Sequence, residues 1–159
     1  MERERKFLVK RRPEGISQFE HSKIDQGYLA RSRDEVEIRI RKNDDDYTLT
    51  VKKGTGDERI ENEIAITRRD FKKLWPLTKG KRVKKTRYRI PYQKYRIELD
   101  IYEGSLKGLK TAEVEFRNRK DETIFSPPRW MDTEITGTKK YRNWNLATTG
   151  RKRRKNSDG

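Results

Sequence analysis

The sequence is short of the residues that commonly build sites and cores. Its 159 residues include no cysteine, one histidine and two methionines. The lack of cysteine excludes disulfides, thiolate metal centres and thiol nucleophiles. A single histidine cannot supply an imidazole cluster; His21, in a helix-like stretch near the start, reads as a surface residue rather than an acid–base group. Only 30% of residues are hydrophobic, and Leu, Ile, Val and Phe together make up just under a fifth of the chain. The longest apolar runs, such as Phe7-Leu8-Val9 and Ile64-Ala65-Ile66, are far too short for a membrane-spanning helix. The charged opening residues lack an apolar signal core, so no secretory signal is expected and the cytoplasm is the expected location.

Charge is what the chain has in excess. Forty-three per cent of residues are charged, with 42 Lys plus Arg against 26 Asp plus Glu, a formal charge of +16 and a pI near 10.1. Taken as bulk composition, this belongs beside disordered polyelectrolytes. The order of the residues says otherwise. From Glu35 to Arg41 charged residues alternate with Val36, Ile38 and Ile40. From Lys94 to Tyr102 they alternate with Tyr95, Ile97, Leu99 and Ile101, and from Thr111 to Arg117 with Ala112, Val114 and Phe116. Period-two alternation marks strands with two chemically different faces. Comparable stretches run over 2–9, 47–53, 59–66 and 83–90, with a weaker one over 132–136. The pattern predicts a mainly β (α+β) domain of eight antiparallel strands over residues 1–149, with a disordered basic tail at 150–159. Asn43–Asp46 and Lys53–Asp57 read as hairpin loops. Expected helices are few: one over 68–74 capped by Thr67, short ones over 14–21 and 121–125, and one over 139–147. Trp75, Trp130 and Trp144 are expected to pack between helices and sheet.

The polar face of these strands carries the chemistry. Acidic residues recur in i, i+2 pairs, Glu2/Glu4, Glu61/Glu63, Glu98/Asp100 and Glu113/Glu115, which a strand sets about 7 Å apart on one face. Basic residues do the same at Arg39/Arg41 and Lys85/Arg87, with Lys6, Lys52 and Arg59 on matching parities. Like charges side by side repel, so a face built this way needs a neutralising ligand. Closing the strands into a barrel puts that face inside as a polar tunnel with peripheral helices around it. Carboxylates hold hard cations such as Mg²⁺ or Mn²⁺, while Lys and Arg hold phosphate oxygens. Together these are the components of a phosphoryl-transfer site.

A set of motifs in one order resembles a known family. Glu2-Arg3-Glu4-Arg5-Lys6 resembles the E-x-E-x-K motif of the CYTH superfamily, the triphosphate tunnel metalloenzymes. Gln26-Gly27-Tyr28-Leu29, Glu37-Ile38-Arg39-Ile40-Arg41, Leu49-Thr50-Val51-Lys52 and Arg59-x-Glu61-x-Glu63 follow in the family's sequence. So do Lys84-Lys85-Thr86-Arg87-Tyr88, the 98–104 segment, Ala112–Phe116, Glu134-Ile135-Thr136 and Tyr141-Arg142-Asn143. The match spans residues 2–147 and is most similar to the short bacterial members, many of which are inorganic triphosphatases.

The resemblance implies an eight-stranded antiparallel tunnel that hydrolyses a triphosphate with Mg²⁺ or Mn²⁺, releasing the terminal phosphate of tripolyphosphate. Adenylyl cyclase and thiamine or nucleoside triphosphatase are alternatives within the family. Outside it, the alternative is a non-catalytic basic barrel that binds nucleic acid or polyphosphate. The implied metal ligands are Glu2, Glu4, Glu113 and Glu115, with Glu61, Glu63, Glu98 and Asp100 as further or supporting ligands. Lys6, Arg39, Arg41, Lys52, Arg59, Lys85 and Arg87 are the implied phosphate contacts. Lys6, Lys85 and Glu134 are the implied catalytic groups that orient water or stabilise the leaving group, and Tyr28 a gate at the tunnel mouth. Glu61 and Glu98 have a second reading as ion-pair partners of arginines, Arg59 as a structural ion pair, and Tyr28 as packing. A homodimer is the expected assembly, and the basic tail is a candidate for weak contact with nucleic acid or polyphosphate.

Overall fold

The computed structural model describes residues 3–33, 35–54 and 59–149. Glu2, most of the Lys53–Asp57 loop and the basic tail lie outside the described residues. Those described form a single nine-stranded antiparallel sheet: β1 (Arg3–Val9), β2 (Glu20–Arg31), β3 (Val36–Asn43), β4 (Asp46–Lys53), β5 (Ile60–Ala65), β6 (Arg82–Tyr92), β7 (Tyr95–Tyr102), β8 (Lys110–Phe116) and β9 (Met131–Glu134). The strand order is β5-β4-β3-β2-β6-β7-β8-β1-β9. The ladder is not closed, and β5 and β9 are its edges. Among the described residues, no helix is long and apolar enough to cross a membrane.

The eight expected strands are present. The ninth, β2, replaces the helical turns expected over 14–21 and includes His21. Only Ile16–Gln18 form a single 3₁₀ turn there, after which the chain extends for 12 residues. His21 lies on the outer face of β2, where its ring packs against Tyr88 of β6 at 5.0 Å between centroids. The segment places β2 between β3 and β6, joining the two halves of the sheet.

The two faces divide as the alternation predicts. On the outer face, Phe7, Val9, Ile90, Ile97, Leu99, Ala112, Val114, Phe116, Phe125 and Met131 form the main buried cluster. Helix α2 (Arg119–Ile124) packs on β1 and β8, bringing Phe125 into edge contacts with Tyr92, Tyr95 and Phe116. Asn118 caps this helix, its side chain accepting from the Asp121 amide. Helix α1 (Arg68–Leu74) covers the outer face of β3 and β4, with Phe71 between Tyr47 and Trp75. Thr67 caps it by accepting from the Asp70 amide at 3.0 Å, the role its position predicts.

On the inner face, large polar side chains are almost fully buried: Lys85, Gln26, Tyr28, Tyr102 and Thr50 are each 2% exposed or less. A flat sheet face would leave such groups in water, so the sheet curls around them into a cup. A helix over 143–149, here α3, sits at one end of the cup. Its Leu146 joins Val83, Tyr102 and Leu106 in a small apolar cluster. Its Trp144 packs T-shaped against Tyr28 at 5.3 Å, between this helix and the inner face of β2.

Gly27 shows how tightly the outer layer rests on β2. A Cβ at this position would stand 2.6 Å from the Cβ of Thr78, a fully buried residue in the 3₁₀ turn after α1. Thr78 is itself anchored, donating to the Trp75 carbonyl at 2.7 Å and accepting from Arg82 Nε at 2.9 Å. Gly27→Ala is therefore expected to cost about 1–3 kcal/mol of stability, the usual scale of overpacking. Urea denaturation measures this, and an unchanged midpoint would show that the turn simply lifts away.

Candidate active site

The register fixes which charges share the inner face. Residues directly opposite in an antiparallel pair point the same way. Thr50 of β4 opposes Arg39 and Glu63, Lys52 opposes Glu37 and Glu61, and Gln26 of β2 opposes Arg41. Further round, Arg87 opposes Asp100, Arg89 opposes Glu98, Glu98 opposes Glu113, Glu113 opposes Lys6 and Glu115 opposes Glu4. The cations thus gather on one side: Arg39, Arg41, Lys52, Lys85 and Arg87 occupy β4-β3-β2-β6, with Glu37 and the β5 acids Glu61 and Glu63 beside them, while Glu98, Glu113, Glu115 and Glu4 line the β7-β8-β1 side with Lys6.

Asp100 sits at the seam. Its carboxylate lies 2.8 Å from Lys85 Nζ and accepts from Arg87 Nε at 2.8 Å and Nη2 at 3.0 Å. Burial alone would raise its pKa, but Lys85 and Arg87 outweigh that and hold it well below the carboxylate range. Burial likewise works against the charge of Arg87, yet Asp100, with Glu98 and Glu113, raises its pKa further. Lys85 is lowered by burial, partly offset by Asp100 and reinforced by Arg87 and Arg41. Its Nζ is held by the Asp100 carboxylate, whereas the buried Nε of Arg39 has no hydrogen-bond acceptor. A buried donor without an acceptor on a basic face is what an anion would satisfy.

The basic side is crowded with like charge. Arg41 is pulled down to about 10 by burial and by Arg39 and Arg87, and Lys52 to about 8 by burial, Arg39 and Arg59. Glu61 lies among these cations, 3.3 Å from Arg59 and 3.9 Å from both Arg39 and Lys52. Glu63 accepts from Thr50 Oγ1 at 3.0 Å, and Glu98 pairs with Arg87 Nη1 at 2.9 Å. Of the eight expected metal ligands, Glu61, Glu98 and Asp100 thus lie against cations in this structure. Glu4, Glu113 and Glu115 remain on the acidic side. Lys6 reaches the end of the cup, where Nζ donates to the Tyr141 carbonyl at 2.9 Å.

Glu134 is not brought to this face. It opposes Phe7, whose side chain lies in the outer core, and it binds Arg5 through both oxygens at 2.7 and 3.2 Å. Thr136 donates to it as well, at 2.7 Å. Glu134 thus lies in an outer-face ion pair with Arg5, away from the inner-face groups it is expected to join. Conversely, sequence reading passed over Gln26 and Arg89. Arg89 extends the Lys85/Arg87 alternation by one step and donates to Ser22 Oγ at 3.0 Å. Gln26 shares the parity of Tyr28 once β2 is seen as a strand.

The acidic side suits a hard divalent cation. Among the described residues no three carboxylates meet at one point. They come instead as residues opposite one another in the ladder, Glu4 with Glu115 and Glu113 with Glu98, the last of these also paired with Arg87. Mg²⁺ is commonly held this way, by one or two carboxylates with the rest of its shell given to water and substrate phosphates.

Comparison with known proteins agrees with this architecture. A CYTH domain model matches residues 1–126, and the chain belongs to that family. It is 40% identical over 146 residues to an inorganic triphosphatase of Nitrosomonas europaea, covering 91% of this chain and 95% of the relative. It is 32% identical over 123 residues to an inorganic triphosphatase of Acetivibrio thermocellus, covering 76% and 77% respectively. A crystal structure of an inorganic triphosphatase superposes with a TM-score of 0.76 at 38% identity, covering 93% of this chain and 95% of the other.

The seam makes a direct prediction. Asp100→Asn leaves two buried cations adjacent without their carboxylate, and breaking a buried pair this way typically costs about 3–5 kcal/mol. Urea denaturation at neutral pH is expected to show a loss on that scale. A loss below about 1 kcal/mol would mean that the seam does not depend on this carboxylate.

Proposed function

We propose that this chain is a divalent-cation-dependent inorganic triphosphatase that cleaves the terminal phosphate of tripolyphosphate within the cup. The observation that carries this reading is the arrangement of charge on one buried face. Arg39, Arg41, Lys52, Lys85 and Arg87 gather on one side of the inner face, with Glu4, Glu113 and Glu115 on the other. The names of two relatives over most of their lengths support the same reading.

In this reading Arg39 and Arg41 clamp phosphate oxygens through planar guanidinium groups, while Lys52 and Lys85 act as point charges. Lys6, at the end of the cup, holds the outer phosphate or orients the attacking water. Asp100 fixes Lys85 and Arg87 and so sets the geometry of that half. Glu4, Glu113 and Glu115 would hold Mg²⁺ or Mn²⁺, with Glu2 of the same strand motif as a further candidate. Such an ion supplies Lewis-acid polarisation of phosphoryl oxygens and charge neutralisation. Water attacks the terminal phosphorus in line, and no covalent enzyme intermediate is needed. The aromatic side chains at the inner face, Tyr28, Tyr102 and Trp144, pack against protein, Tyr28 edge-on to Trp144 at the closed end. Tyr28 and Tyr102 are almost fully buried, which leaves them little surface to stack on a nucleobase and favours inorganic triphosphate over ATP or thiamine triphosphate.

A phosphate-release panel of tripolyphosphate, ATP, thiamine triphosphate and long-chain polyphosphate tests this, with Mg²⁺ or Mn²⁺ and with EDTA. Tripolyphosphate is expected to be the best substrate and EDTA to abolish release. Absence of turnover on every substrate with metal present would refute the enzyme reading. Glu4→Gln and Lys85→Ala are each expected to lower kcat/KM by at least about a hundredfold while the circular-dichroism spectrum stays β-like.

Ligand binding is also expected to move protons. Lys52 is held at about 8 in the free protein by burial and neighbouring cations, so it is half neutral there near pH 8. A polyanion favours the charged form and raises that pKa. Tripolyphosphate binding near pH 8.5, without divalent cation, should therefore take up protons onto Lys52 and onto Lys85, which is held at about 7, and the uptake should fade below about pH 6. Calorimetry in buffers of different ionisation enthalpy reads the sign and size directly; proton release would contradict it.

A further inference from the structure

Gln26 has no assigned part in the chemistry, yet it is fully buried on the inner face between two groups that have one. Its Oε1 accepts from Arg41 Nε at 2.7 Å, and its Nε2 donates to the Tyr28 hydroxyl at 2.7 Å. On its other side, β6 presents Val83, which offers no polar alternative. The orientation of the amide follows from chemistry alone. Arginine has only donors, so the atom facing Arg41 must be the amide oxygen, and the atom facing Tyr28 must be the NH₂ group. Tyr28 is therefore the acceptor in that bond.

A phenol accepting at its oxygen must send its own proton elsewhere. Tyr28 keeps that proton across the physiological range: burial, with Glu37 nearby, pushes the phenol up to about 12. On the inner face it meets the cations Arg39 and Arg41, which have no acceptor to offer, the ring of Trp144, and the charge of Glu37, to which it makes no hydrogen bond.

We propose that Gln26 is a positioning residue: anchored by Arg41, it turns the Tyr28 hydroxyl so that its proton points into the cup as a hydrogen-bond donor to a bound phosphate oxygen. The same bond to Arg41 fixes the guanidinium plane, leaving both terminal nitrogens for the ligand. One amide thus aligns a neutral donor and a cationic fork on the same phosphate chain. This inference rests on the triphosphatase reading.

The test is a double-mutant cycle on tripolyphosphate turnover and binding. Gln26→Glu keeps the acceptor for Arg41 but makes the other atom an acceptor too, so it captures the Tyr28 proton and turns it away from the ligand. Tyr28→Phe removes the proton outright. Each single variant is expected to lower kcat/KM at least about tenfold, the scale of a hydrogen bond to a charged group. The double variant should be no worse than the weaker single one, because both remove the same donor. Multiplying losses would show that Gln26→Glu acts through its added charge and would overturn the proposal; so would activity within twofold of wild type in Gln26→Glu. Should Gln26→Glu fail to fold, Tyr28→Phe alone decides, since unchanged tripolyphosphate binding and turnover would mean that no proton is delivered. Failure of the triphosphatase reading is separately visible, as a wild-type protein that turns over none of the four phosphate compounds.

Discussion

A buried cation needs a counter-charge, and the inner face concentrates that requirement at one carboxylate. Asp100 holds Lys85 and Arg87 together at contact distance deep in the curled sheet. The cost of desolvating three charges is offset by mutual attraction and by the aligned bonds from Arg87. The net charge of the triad remains positive. With Arg39, Arg41 and Lys52 alongside, a field of cations is kept folded yet incompletely satisfied. The acidic residues of β1, β7 and β8 lie across the cup without cancelling it. Free protein in this arrangement is stable enough to persist and electrostatically unfinished, which is the condition for tight recognition of a small, highly charged anion.

Much of this was legible from alternation. In β3, β4, β7 and β8 branched and charged residues take opposite parities, so both the strand and its charged face can be read directly. β2 escaped because its buried parity is Ser22, Ile24, Gln26 and Tyr28, and the other parity, His21, Lys23, Asp25 and Gly27, is also mixed. Hydrophobicity carries no period there. Burial of β2 is imposed by its neighbours on both sides, a tertiary fact that local pattern does not contain.

Parity also says which residues share a face without saying which face it is. Glu134 was expected on the inner side, but the irregular register between Phe7 and Val9 sets it against Phe7, and it joins Arg5 outside. In a strand of four residues, a single step of register decides the matter. Similarly, Asp100 and Glu61 were legible as inner-face carboxylates, but their partners were not. Whether an acid serves a metal or a neighbouring arginine depends on strands that lie far apart in the chain.

The ladder has two ends, and this has a mechanical consequence. A closed barrel has a radius set by strand number and shear, so its bore is a fixed quantity. Here β5, exposed along its whole length and guarded by Arg59, Glu61 and Glu63, terminates the hydrogen bonding on one side, as β9 does on the other. The curvature is then a soft coordinate, opposed by repulsion among the inner cations and favoured by whatever neutralises them. The spacing of the two edges is then left to side-chain charge and packing, and not to a closed ring of backbone hydrogen bonds.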